Sequence, residues 1–248
     1  MTDPDPTMDS YNIVRSAILD GQLPPGQIYS QAELSEVLGV GRTPLREAVR
    51  RLQSEALLEQ SPRRRLRIAP LTLDDLGQLY SMRVVLESLA VRLTVPHLTD
   101  AELDDARKAL DEHIDACTRQ DLSNSREPHR QFHRLLYARC GERMLPQVDS
   151  LWDQAQRYRR MYVQGATDEI ALLQLAMNDH EEIYAAAVER DAVACSELVA
   201  RHLTRTALTV FARLADPGAA NQVTVAHDFV CFGGSVKGEL QSPVRSRR

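Results

Sequence analysis

At 248 residues and 27.9 kDa, with 43% hydrophobic and 26% charged residues, the chain has an ordinary globular composition, which excludes a disordered polyelectrolyte, a collagen and a disulfide-held miniprotein. An aromatic content of only 5%, beside abundant alanine and leucine, favours helices over a many-stranded sandwich, and the length allows two domains. The formal net charge of −5 argues against coating nucleic acid through bulk charge, yet residues 41–70 hold eight arginines against Glu47, Glu55 and Glu59, a strongly basic patch in an acidic chain.

In chain order, a polar lead-in over residues 1–9 gives way to Tyr11, Val14, Ile18 and Leu19 at helical spacing, stopped by Gly21. Leu23-Pro24-Pro25-Gly26 reads as a turn, Gln27-Ile28-Tyr29 as a very short strand, and Ser30 with Glu33 as the capping box of a second helix ending at about Leu38. After Gly39-Val40-Gly41, Thr43 followed by Pro44 predicts an N-cap with proline at the first position of a third helix that reaches about Ser54. Leu57-Leu58-Glu59 and Leu66-Arg67-Ile68 flank Ser61-Pro62-Arg63-Arg64-Arg65, the pattern of a two-stranded wing with an arginine tip.

Pro70 marks a boundary, so a winged helix-turn-helix domain is expected over 10–70 and an all-helical domain over 71–215; the fold class is mostly α. Six helices are expected in the second part: Thr72 to about Val95, Thr99 (boxed with Glu102) to about Thr118, Ser125 to Arg139, Arg143 to Val163, one capped by Thr167, and one capped by Asp191 that ends near Asp216-Pro217-Gly218. Short connections between them imply an antiparallel bundle. Residues 216–248, with Val223, Val225 and Phe229 in rough alternation, read either as a disordered tail or as an edge strand. Cys117, Cys140, Cys195 and Cys231 make no CxxC pair, Met1–Ser10 is acidic and Pro-rich rather than a signal peptide, and no apolar run approaches the ~18 residues of a membrane span; the expectation is a soluble cytoplasmic protein with reduced thiols.

A helix, a Gly-containing turn and a second helix whose first turn carries Arg42, Thr43 and Arg46 is the arrangement that reads a major groove, because the N-terminal residues of the recognition helix reach base edges. Arginine binds guanine O6 and N7 bidentately, and the free N–H groups of the helix start attract phosphate. Arg50, Arg51 and Arg63 to Arg65 stand where backbone phosphates or a minor groove would pass. The residues Gly21-x-Leu23-x-Pro25-Gly26, Leu34-x-x-x-Leu38-Gly39-Val40-x-Arg42-Thr43-Pro44-Leu45-Arg46-Glu47-Ala48 and Arg51-Leu52 resemble the winged-helix domain of the GntR family of bacterial transcription regulators. The resemblance implies DNA contacts at Gly41 by close backbone approach, at Arg42, Thr43 and Arg46, and at the wing tip, Arg64 and Arg65. Ala56 and Arg65 depart from that pattern, which usually has glycine at both places.

Four of the seven histidines lie on apolar helical stripes. His129 and His133 are i, i+4 and share theirs with Leu136 and Cys140; His180 lies among Leu173, Met177 and Ile183, and His202 among Cys195, Leu198 and Val199. Burying several imidazoles is unfavourable without partners, and a divalent ion satisfies them together. His97, His113 and His227 read as surface or loop residues. Arg83-x-x-x-Glu87, Phe132-His133, His180 with Ala185 and Ala186, and Asp191 with His202 are similar to the FCD ligand-binding domain of the FadR-type branch of the family, in its smaller six-helix subgroup. That resemblance implies a bundle that binds a small carboxylate through a metal held by an Asp and three His.

His129 occupies the place of the usual Asp: either it replaces the carboxylate, or three histidines bind with solvent or effector. An all-imidazole set favours Zn²⁺ or Ni²⁺ over Mn²⁺ or Mg²⁺. Arg83 is the candidate to pair with the acid's carboxylate, or forms a salt bridge to Glu87 at i+4. The expected function is a homodimeric regulator that binds an operator and responds to a small organic acid. The rivals are a sensor for which the ion itself is the signal, and a helical metalloenzyme, disfavoured by the absence of HExxH, GxSxG and a Gly-rich phosphate loop.

Overall fold

Two separate sets of buried apolar side chains organise the chain, one between Tyr11 and Ile68 and one between Leu76 and Ala226. The computed structural model describes residues 6–163, 169–214 and 220–232. In the first unit, α1 (Pro6–Leu19), α2 (Gln31–Leu38) and α3 (Arg42–Ser54) pack beside a small antiparallel sheet of β1 (Ile28–Tyr29), β2 (Leu58–Ser61) and β3 (Arg65–Ile68) in the order β1-β3-β2. Val14, Leu34, Leu45, Leu52 and Ile68 fill its core. Helix α1 starts at Pro6, so the end of the expected lead-in is helical, and residues 1–5 lie outside the described residues.

The helix α2 box forms as expected: Ser30 Oγ accepts from the Glu33 N–H and Glu33 returns to the Ser30 N–H. The start of α3 differs. Gly41 is the N-cap, with extended φ/ψ of −66°/145°, and its carbonyl accepts the Leu45 N–H at 3.0 Å. Thr43 therefore lies inside the first turn, and Pro44 falls at the third helical position, where its missing N–H is still one of those the helix leaves unbonded. The Thr43 side chain thus stands at the exposed start of the helix and is not consumed as a cap.

Helix α3 ends in a Schellman arrangement, with Leu57 N–H on the Leu52 carbonyl at 3.0 Å and Ala56 N–H on that of Gln53 at 3.2 Å. Ala56 accordingly adopts φ +55°, a conformation in which its Cβ is strained. Ala56→Gly is expected to stabilise this unit by about 1 kcal/mol, read as a higher denaturant midpoint at unchanged slope. An unchanged or lower midpoint would show that no strain is relieved.

At the wing, Ser61 pairs with Arg65 and closes a hairpin over Pro62, Arg63 and Arg64. The left-handed conformations fall on Arg63 (φ +60°) and Arg64 (φ +59°), whereas Arg65, where glycine was expected, has an ordinary φ of −81°.

The second unit holds α4 (Leu73–Thr94), α5 (Asp100–Thr118), α6 (Leu122–Tyr137), α7 (Leu145–Val163), α8 (Glu169–Val188) and α9 (Ala192–Leu214), followed by α10 (Ala220–Phe232). Thr72, Thr99 and Asp121 cap α4, α5 and α6 through side-chain oxygens, and Asp191 accepts the Ala194 N–H ahead of α9. The cap expected at Thr167 and the helix end at Asp216 to Gly218 lie outside the described residues.

Over residues 220–232, helix α10 replaces both readings of the tail and makes seven bundle helices among the described residues; residues 216–219 and 233–248 of that segment lie outside them. Val223 and Ala226, joined by the partly buried Val230, form a helical stripe that packs on α4 and α9. This contact overrides the β-propensity of Val223-Thr224-Val225.

The two units meet through α1, α6 and α7. Arg15 of α1 and Arg130 of α6 both donate to Asp153 of α7, and Arg126 of α6 donates to Asp20 just after α1. Tyr158 accepts the Thr72 N–H at 3.1 Å and donates to Asp75, fixing the start of α4 on α7. Among the described residues, no helix is long and apolar enough to cross a membrane.

Candidate metal centre and nucleic-acid interface

Helix α3 is sharply two-faced. Leu45, Ala48, Val49 and Leu52 are buried, while Arg42, Thr43, Arg46 and Arg50 are exposed on the other side. Arg46 and Arg50 make only loose pairs with Glu47, at 3.8 and 3.3 Å, and remain free to exchange them for phosphate or base edges. Gly41 is crowded by its own helix, since a Cβ there would lie 3.3 Å from Pro44 Cγ. Arg64 is exposed at the wing tip, and the neighbouring Arg65, also exposed, pairs with Glu33 at 3.0 Å. Arg51 does not join this surface. Its guanidinium lies 3.8 Å over the Tyr11 ring and pairs with Glu55, so it fastens α3 to α1.

In the bundle, α6, α8 and α9 bring His129, His133, His180 and His202 together, each between 1% and 6% exposed. One ligating atom from each can be chosen so that all four lie within 4.8 Å of one another. The Nε2 atoms of His129, His133 and His180 form a triangle with sides of 3.1, 3.2 and 3.3 Å. An ion bound tetrahedrally at 2.0–2.1 Å requires nitrogens about 3.3 Å apart, so this donor set fits a divalent transition metal.

Local sequence explains the convergence. On α6, His129, His133 and Tyr137 occupy successive turns of the buried face, with Phe132 and Leu136 beside them. His180 shares the inner face of α8 with Ile183 and Ala187, and His202 that of α9 with Val199 and Leu203. Asp179 has a role that sequence reading missed. Its Oδ2 lies 3.3 Å from His202 Nδ1 and its Oδ1 accepts from Arg205 at 2.7 Å. Burial pushes the Asp179 carboxyl up, but the hydrogen bond with His202 and the charges of Arg205 and Arg201 hold it below the usual carboxylate range. A carboxylate on Nδ1–H turns the Nε2 lone pair of His202 toward the cluster, the usual support for a ligating histidine.

His113 corrects the expectation of a surface residue. It is 1% exposed, with Nδ1 3.0 Å from the Ser125 carbonyl and its ring centroid 4.7 Å from that of His129. Arg83 is buried and donates its Nε to Glu87 at 2.6 Å, so the i, i+4 salt bridge is present. Its guanidinium carbon also lies 5.0 Å from the centre of the Tyr80 ring. The pair lies near Tyr137, one turn beyond His133, whose phenol is pushed up by burial and by the charges of Glu87 and Asp149.

Comparison with known proteins gives two family matches along the chain: residues 9–68 match the bacterial regulatory proteins of the gntR family, and residues 78–205 match the FCD domain. The transcriptional repressor GlaR of Escherichia coli is 28% identical over 202 residues, covering 79% of this chain and 92% of that protein. An uncharacterized HTH-type transcriptional regulator of Agrobacterium vitis is 30% identical over 135 residues, covering 52% and 77%. Among solved structures, E. coli McbR/YncC superposes with a TM-score of 0.75 at 22% identity over 86% of this chain and 100% of that one, a likeness of fold.

Proposed function

The chain belongs to the GntR family of bacterial transcription regulators and carries an FCD domain behind its DNA-binding winged helix, and on that premise we propose that it is a cytoplasmic homodimer whose operator affinity is set by a small organic acid bound at a metal centre. Arg42, Thr43 and Arg46 at the exposed start of α3 read base edges, with Gly41 close to the backbone and Arg50, Arg64 and Arg65 on phosphates. Reading two half-sites requires two copies, and the exposed stripe of Met82, Leu89 and Leu93 on α4 offers apolar surface for pairing.

The convergence of four buried imidazoles on one point carries the metal reading. His129, His133, His180 and His202 hold the ion, and the all-nitrogen set favours Zn²⁺ or Ni²⁺. When bound, the ion supplies a Lewis-acidic anchor for a carboxylate oxygen. Arg83 then offers its terminal nitrogens to the acid, and Asp179 keeps His202 oriented. The link to the DNA-binding unit is supported by α6. The helix that presents His129 and His133 also carries Arg126 and Arg130, which pair with Asp20 and with the Asp153 carboxylate shared by Arg15. An acid that releases DNA must in return bind the DNA-bound form more weakly.

The test is elemental analysis of the purified protein followed by thermal-shift titration of small carboxylates against metal-loaded and chelated forms. About one ion per bundle is expected, with acids that stabilise only the loaded form. If no acid does so, the metal-anchored mechanism fails. A second reading, a sensor for the ion itself, is favoured by the absence of a carboxylate among the four clustered residues. It predicts that metal alone changes operator affinity, whereas the acid-responsive regulator requires both.

A further inference from the structure

Helix α7 supplies none of the four imidazoles, yet it places Trp152, the single tryptophan of the chain, against them. The side chain is 1% exposed, and its ring centroid lies 6.0 Å from that of His129, with the planes tilted by 43°. The Arg130 guanidinium sits 5.1 Å from the ring on the same helix turn of α6. Among the described residues, the indole Nε1 is fully enclosed and has no hydrogen-bond partner. An indole nitrogen can only donate, and buried donors in native structures are almost always satisfied by protein, water or ligand. The adjacent carboxylate does not take this proton, because Asp153 is occupied by Arg15 and Arg130. Phenylalanine would fill most of the same apolar space without burying a donor, which leaves the indole nitrogen open to an acceptor.

We propose that the Trp152 indole N–H is a ligand-binding group of this site, donating a hydrogen bond to an oxygen of the acid bound beside His129. The proposal rests on the acid-binding reading above and adds a selectivity to it. An acid that reaches both the ion and the indole must present two oxygen acceptors in different directions, as a dicarboxylate or a hydroxy acid does. Acetate, whose two oxygens share one carbon, has no second group to extend from the ion to the indole. Trp152 thus selects for acids with a second acceptor, and its neutral donor accommodates either a hydroxyl or a carboxylate oxygen there.

A single tryptophan makes the test direct. In the ¹⁵N-labelled, zinc-loaded full-length protein one indole N–H resonance is expected. Malonate, L-malate or L-lactate should move it downfield, and acetate should move it little. In W152F, zinc content by elemental analysis should match the wild type, affinity for the preferred two-acceptor acid should fall about tenfold, and affinity for acetate should stay within about twofold. If the wild type binds one of these acids while the indole resonance stays in place, or if W152F binds it equally well, the proposal is overturned and the acid-binding metal centre stands. If the zinc-loaded wild type binds none of the four acids, the acid-binding reading falls and takes the proposal with it. Should W152F fail to fold, the wild-type resonance decides alone.

Discussion

Arg46→Ala should abolish specific operator binding while leaving fold and metal content intact. The side chain projects from the exposed face of α3, and its pairing with Glu47 at 3.8 Å between two solvated groups contributes almost nothing to stability. A bidentate arginine contact to guanine contributes roughly 1–3 kcal/mol of discrimination. A dimer loses it at both half-sites, so about 2–6 kcal/mol disappears, a weakening of roughly thirtyfold to twenty-five-thousandfold. Arg50→Ala, removing a phosphate contact, should instead weaken specific and random duplexes alike and flatten the salt dependence. Fluorescence anisotropy on an operator selected from random duplexes, beside a scrambled one, separates the two variants. Unchanged operator affinity in the Arg46 variant would remove the base-reading assignment.

The contrast between what the sequence revealed and what it hid has a physical pattern. Features governed by neighbouring residues were legible: the Ser30–Glu33 box, the box at Thr99, the cap at Asp191, the buried stripe of α1, and the i, i+4 pairing of His129 with His133. The start of α3 was misplaced because Thr43-Pro44 has the composition of a cap, while the Gly41 carbonyl, which any residue possesses, made the deciding bond. Helix α10 was hidden because its β-branched Val223-Thr224-Val225 run is helical only against α4 and α9. At the glycine-poor turns, the departure at Ala56 was visible and the structure shows what it entails, a left-handed alanine. At the wing the same signal pointed one residue too far, to Arg65 instead of Arg63 and Arg64.

The bundle site divides in the same way. Three helices each announced an inward histidine through local periodicity, but nothing local says that Asp179 reaches His202 across 23 positions, that His113 of α5 stacks near His129, or that Trp152 closes the side beside it. These residues are ordinary on their own helices and acquire a role only through packing between helices. A carboxylate directly before His180, with Arg205 three residues after His202, was the one signal that could have suggested the Asp179 support.

His180→Ala gives the largest expected effect in the bundle. His180 is 1% exposed and its Nε2 lies 3.2 and 3.3 Å from those of His133 and His129, so its loss removes one donor from the centre of the set. At ion concentrations a thousandfold above the dissociation constant, binding contributes about 4 kcal/mol to stability. At roughly 2–4 °C per kcal/mol for a unit of this size, adding a chelator should lower the wild-type midpoint by about 8–16 °C. In His180→Ala that difference between loaded and chelated forms should nearly vanish, a comparison from which any cavity left by the substitution cancels. A variant that keeps both its ion and the full difference would show that the ion is held elsewhere. His129→Asp then asks whether the first imidazole ligates. If it does, the new carboxylate hardens the donor set, and affinity should move from Zn²⁺ and Ni²⁺ toward Mn²⁺ with about one ion still bound per bundle. If His129 only lines the cavity, the order of metal affinities stays as in the wild type, and the centre is a three-histidine site whose remaining positions belong to solvent and the acid.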